Sequence, residues 1–196
     1  MVLTTGIVAM VLTTGMITAA GAGLGFIIQY CPPFRWAMGP RARWLERVRR
    51  EVSTLLGRVF DERAGPRPIT EGEYAGTLHR SLAETERLLW RYGFRRNPMS
   101  RLKTRDGTPE VGSWVYRTSP LADRQLHVML FPGSRGGVDI YAHTEPSSVH
   151  PLVGNDHFTG QRQNVAAGVS ETRDRLPLTI DRPIPDPPAG PWTSAQ

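Results

Sequence analysis

Cysteine occurs once in the 196 residues, at Cys31, and lysine once, at Lys103. A single thiol excludes an internal disulfide and every zinc motif built on paired cysteines. With lysine nearly absent, 23 of the 24 basic side chains are arginine, for a formal net charge of +6. An arginine bias beside 20 glycines and 17 prolines is what GC-rich coding writes whatever the function. The positive balance is therefore weak evidence of phosphate binding. Charge itself is missing from Val2 to Tyr30, where no Asp, Glu, Lys, Arg or His occurs.

That uncharged run is long enough for a bilayer, which asks for about 20 mostly apolar residues. Its eleven Leu, Ile, Val and Phe residues contribute only about −4 kcal/mol on an insertion scale, because five Gly and five Thr dilute them. The expectation is a transmembrane anchor over residues 1–31. Arg35, Arg41, Arg43, Arg47, Arg49 and Arg50 follow it, which predicts a cell-membrane location with the C-terminal domain cytoplasmic. Ala20-Gly21-Ala22 resembles a cleavage site, but no Lys or Arg stands between Met1 and Met16 to start an export signal. The hexapeptide MVLTTG stands at both Met1 and Met10, so either methionine is a candidate start. Gly15, Ala19 and Gly23 recur every fourth residue, the spacing of a homo-oligomeric helix contact in lipid.

Cys31-Pro32-Pro33 ends the anchor. A basic juxtamembrane segment over 32–68 then contains an amphipathic helix from about Pro40 to Glu62. Trp44, Val48, Val52, Leu55 and Val59 form its apolar face, and Arg43, Arg47, Arg50 and Arg58 lie opposite. Such a helix suits an anionic lipid surface or a protein partner. A second helix is expected to start at Thr70, where Glu73 three residues on completes a capping box and Ile69 can staple onto Tyr74. Leu78, Leu82, Thr85 and Leu89 continue its buried face to Gly93. The two helices make a helical hairpin.

Beyond Phe94 the period becomes strand-like. Asp106-Gly107 predicts a hairpin turn between strands near 101–105 and 111–117. Gln125 to Phe131 and Val138 to His143 alternate most clearly, separated by the turn from Pro132 to Gly137. Pairing Leu126, Val128 and Leu130 with Val138, Ile140 and Ala142 on one face forces His127, Tyr141 and His143 onto the other. A loop from Glu145 to Gly160, a helix over about Gln161 to Leu176 and a Pro-rich disordered tail over 181–196 complete the chain. The expected fold is thus α+β: a transmembrane helix, a helical hairpin on an antiparallel sheet of three or four strands, and a C-terminal helix. Residues 69–180 form its globular domain.

Four of the five histidines, His127, His143, His150 and His157, fall within 31 residues, together with Asp139, Glu145 and Asp156. Imidazoles beside carboxylates suit a divalent metal such as zinc, with His127, His143, His150 and His157 as candidate ligands. They also suit acid–base work near neutral pH, with His127, His143 and Glu145 as candidate catalytic groups. No His-Glu-x-x-His, nucleophile elbow, phosphate-binding Gly-rich loop or dinucleotide fingerprint occurs. Arg95, Arg96, Arg101, Lys103 and Arg105 make a dense basic patch, yet no compact RNA-binding signature accompanies it. Three functions follow. The first is a membrane-anchored interaction module with no cofactor. The second is a metal-dependent or acid–base hydrolase built on the histidines. Nucleic-acid binding at the membrane, favoured only by the arginine patch, is the third.

Overall fold

The computed structural model describes residue 27 and residues 38–60, 65–98, 100–133, 136–150, 152–153, 156–157 and 160–180. Among the described residues the delimited α-helices are α1 (Arg43–Phe60), α2 (Leu82–Arg91) and α3 (Val165–Arg175). The strands are β1 (Arg67–Pro68), β2 (Tyr74–Leu78), β3 (Arg95–Arg96), β4 (Lys103–Arg105), β5 (Thr108–Pro109), β6 (Gly112–Tyr116), β7 (Arg124–Pro132) and β8 (Val138–Pro146). Five of them form the main sheet in the order β2-β8-β7-β6-β3, antiparallel throughout. β1, β4 and β5 form a small second sheet.

The main sheet has two different faces. Trp114, Leu126, Val128, Leu130, Ile140 and Ala142 point to one side and pack with Leu88 and Leu89 of α2 and Val169 of α3 into the hydrophobic core. The other side carries Gln125, His127, Met129 and Phe131 from β7, and Asp139, Tyr141, His143 and Glu145 from β8. All of these are buried. The register pairs His127 directly with His143 and Met129 with Tyr141, as alternation of the two apolar sets requires.

Among the described residues no helix is long and apolar enough to cross a membrane, and this overturns the transmembrane, single-pass architecture expected from the sequence. The longest helix, α1, has 18 residues and is excluded by its charge, including Arg43, Glu46, Arg47, Arg49, Arg50 and Glu51. Val2 to Tyr30, Ile27 excepted, lies outside the described residues, and so do Gly15, Ala19, Gly23 and the tail over 181–196.

The helical hairpin is corrected as well. The Thr70–Glu73 capping box closes only a 3-10 turn, Glu71–Glu73, after which Tyr74 to Leu78 pair with β8 as an edge strand. The helix starts one box later, where Ser81 Oγ accepts from Glu84 N–H and the Glu84 carboxylate returns to Ser81 N–H. The sheet has five strands instead of three or four. Asp106 and Gly107 do form a turn, with φ of 50° and 77°, the positive values that a two-residue hairpin of this hand demands. That turn joins β4 to β5 in the small sheet.

α1 is inverted relative to its periodicity. Trp44, Val48, Val52 and Leu55 are 54%, 49%, 48% and 59% exposed, whereas Glu46, Arg49 and Ser53 are buried. Its docking is polar. Arg49 bonds to Glu46, donates to Ser100 Oγ at 2.9 Å and meets Glu110 Oε1 at 3.0 Å, while Arg43 reaches Glu86 at 2.6 Å. Complete burial, with Glu46 nearby, pushes the Glu110 carboxyl up to about 7 against the pull of Arg49.

Candidate metal centre

The polar face of β7 and β8 converges on one point. His127 Nδ1 lies 3.3 Å from His143 Nε2 and 3.3 Å from Glu145 Oε1, and His143 Nε2 lies 3.3 Å from Glu145 Oε2. A tetrahedral ion with ligand bonds of about 2.0–2.1 Å keeps its ligand atoms about 3.3 Å apart. The two facing nitrogens stand at that spacing, while Glu145 meets the two rings through different oxygens, and one ligand atom from each of the three residues lies within 4.8 Å of the others. Cross-strand pairing explains two of them, because directly opposed residues share a face, and Glu145 is the next residue on that face of β8.

Each imidazole is oriented from behind. His143 Nδ1 is 2.7 Å from Glu73 Oε1, so its proton belongs on Nδ1 and donates to that carboxylate. For His127 the chain of donors is longer. Ser100 Oγ donates to the Asn97 carbonyl at 3.1 Å, so its 2.8 Å contact with Ser113 Oγ is a donation from Ser113. Ser113 Oγ then accepts from His127 Nε2–H at 2.8 Å. In these neutral tautomers both rings turn unprotonated nitrogens towards each other and towards a carboxylate, and the lone pairs repel unless a metal cation, or a proton on His143 Nε2 donated to Glu145, lies between them.

Glu145 is positioned equally tightly. Its Oε1 accepts from Gln125 Nε2 at 2.7 Å, and Arg117 holds the Gln125 carbonyl oxygen so that the amide presents its NH2. His157 Nδ1 stands 3.2 Å from the same Oε1. Burial alone would raise the Glu145 pKa, but His157, His127 and His143 overcome it and hold the carboxyl well below its ordinary range. Burial carries His127 well below the usual imidazole value, opposed by Glu145. At His143 burial is outweighed by the hydrogen bonds to Glu145 and Glu73, and the net direction is upward. At Glu73 burial is the largest single cause and pushes upward, but the bond and charge of His143, the Thr70 N–H and Lys103 together outweigh it, and the net direction is downward.

The candidates do not all assemble. His127, His143 and Glu145 form one three-ligand cluster, and His157 joins it through Glu145. His150 stays apart, its Nδ1 accepting from Leu152 N–H at 3.3 Å. Asp139 bonds Thr77 and Arg105 instead, and Asp156 bonds Arg162. Glu73, Ser113 and Gln125 were invisible as site residues in the sequence, and Lys103 was visible only as a member of the basic patch. Glu73 carried a signal of another kind, its capping box. One oxygen serves that box, accepting from Thr70 N–H at 2.7 Å, and the other serves His143.

A cleft of ≈ 330 Å³, its opening to solvent included, is lined in part by His127, Glu145 and His157. α3 fixes the site from the opposite side of the sheet. A Cβ on Gly168 would lie 2.2 Å from His143 Cα, so the helix and the β8 backbone touch where only a hydrogen fits. No protein-family model, curated protein or solved structure matches this chain.

Proposed function

We propose that the protein is a metal-dependent hydrolase in which His127 Nδ1, His143 Nε2 and Glu145 hold a divalent transition ion, zinc in the first place. The carrying observation is the buried group of His127, His143 and Glu145, in which one ligand atom from each lies within 4.8 Å of the others and the two facing nitrogens stand 3.3 Å apart. Two imidazoles and a carboxylate leave a tetrahedral ion one position for water, the catalytic form of a zinc site. The adjacent cleft opens that position to solvent water, and His157 at its wall is placed to take the proton. Ligand orientation by Glu73 and Ser113 is the outer shell such sites depend on.

A second reading has one observation behind it. The raised pKa of His143 permits a proton on Nε2 in place of the ion, which makes the cluster a metal-free acid–base group. Zinc titration and elemental analysis of the full chain separate the two. One ion per chain, lost in His143→Ala and Glu145→Ala at unchanged circular dichroism, is the expected result. A folded chain that takes up neither zinc nor Co(II) in stoichiometric amount overturns the metal. His157→Ala should keep the ion while kcat falls by about 100-fold, the size of a missing general base.

A further inference from the structure

We infer that the substrate of this site is a phosphate ester, whose phosphoryl oxygens are received by Arg67, Arg101 and Lys103 in the cleft that His127, Glu145 and His157 also line; the inference rests on the metal-dependent hydrolase proposed above. The three cations line the same cleft as His127, Glu145 and His157. They are brought together by the small sheet, in which Arg67 is the register partner of Lys103 across the parallel β1–β4 pair. Lys103 is buried, and it lies near enough for its charge to act on Glu73, His127 and His143.

Three like charges in one cleft oppose each other. Arg101, anchored by donation to the Gly65 carbonyl at 2.9 Å, has its pKa lowered by burial and by Arg67. Glu145 is the one carboxylate among the residues lining the cleft, and Lys103 also acts on Glu73 behind it. A dianionic oxyanion complements this cluster of cations, and two guanidinium forks with an ammonium match its tetrahedral oxygens. A neutral ester offers them no charge. The loop after β8 completes the wall, since a Cβ on Gly160 would stand 2.7 Å from Arg67 Nη1.

The reaction is addition of water across the ester bond. The oxygen of water bonds to phosphorus, and the P–O bond to the alcohol breaks with its electron pair going to the leaving oxygen. The first proton of water passes to His157 and a proton returns to the alkoxide, yielding the alcohol and phosphate. No oxidant, reductant or second substrate is needed.

Turnover of p-nitrophenyl phosphate and of uncharged p-nitrophenyl acetate by the zinc-loaded full chain tests this. The expected result is hydrolysis of the phosphate ester in preference to the acetate, with inorganic phosphate competing. Arg67→Gln and Arg101→Gln should each raise KM by about tenfold or more with zinc content unchanged, and Arg67→Lys should recover part of the loss. Preference for the acetate, or an unchanged KM in both Gln variants, overturns the inference while leaving the metal in place. Failure to bind zinc removes the hydrolase instead. In that event the shift in melting temperature produced by phosphate against chloride at equal ionic strength still decides the anion site: a rise abolished by Arg67→Gln supports it, and no rise overturns it.

Discussion

The two faces of the main sheet are built from the same two strands and held together by opposite physics. On the α2 and α3 side, Leu126, Val128, Leu130, Ile140 and Ala142 meet other hydrocarbon, and each contact is short-ranged and replaceable by something of similar volume. On the other side, Gln125, His127, His143 and Glu145 are buried to the same degree, yet every atom depends on a named partner with the right proton. The first face tolerates repacking. The second tolerates loss of a partner badly, since a stranded buried charge costs far more than a missing methylene. Burial by itself therefore does not distinguish core from site in this molecule; the chemistry on each side does.

Experiments can press on that contrast. The largest effects come from one deletion on each face. Trp114→Ala should cost about 4 kcal/mol in urea unfolding through its cavity, with zinc stoichiometry of the folded fraction retained. Glu145→Leu should cost about as much by leaving the imidazoles facing no carboxylate, but with zinc binding abolished. Equal zinc binding in the two variants would break the comparison. Next comes a cycle at the outer shell: Glu73→Leu and His143→Leu should each destabilise by about 2 kcal/mol or more, and the double variant by clearly less than their sum. Additive values would mean that the 2.7 Å contact between them is energetically idle.

A smaller effect sharpens the contrast through pH. The folded-state pKa of Glu110 is raised from 4.5 to about 7, so the folded protein holds this proton more tightly than the unfolded chain. The associated stability is fully present below pH 4.5 and is lost as pH rises through 7, a change of at most about 3 kcal/mol. Glu110→Gln should flatten the stability profile across that window, as read by denaturant midpoints. The smallest effect is expected on α1, where Leu55→Ser and Val52→Ser should change stability by no more than about 0.5 kcal/mol, because both side chains already face solvent.

Strand chemistry was the most legible part of the sequence. Alternation along Gln125 to Phe131 and Val138 to His143 placed His127, Tyr141 and His143 on one side without any knowledge of tertiary structure, because a period of two leaves no other choice. Helix starts were less legible. Thr70–Glu73 and Ser81–Glu84 are both complete capping boxes, and local sequence cannot tell which one opens a helix when the segment between them pairs with β8. The apolar stripe of α1 misled for a related reason: periodicity reports which residues share a face but not which face docks, and here Arg49, Glu46 and Glu110 decide the docking. Ser113 and Gln125 carried no signal, since an isolated serine or glutamine gains its role only from neighbours distant in sequence, whereas Lys103 showed only as one of five cations in the basic patch.

Gly168 has a consequence for how the centre can change over time. Where a helix rests on a strand through bare backbone, there is no side chain to trim or enlarge, so the spacing between α3 and His143 cannot be tuned in small steps. Any substituent there must lift the helix and tilt the ligand at once. The position behaves as a latch, either closed with glycine or sprung by everything else, and adjustments to metal preference must be made from the far side, through residues such as Ser113 and Glu73.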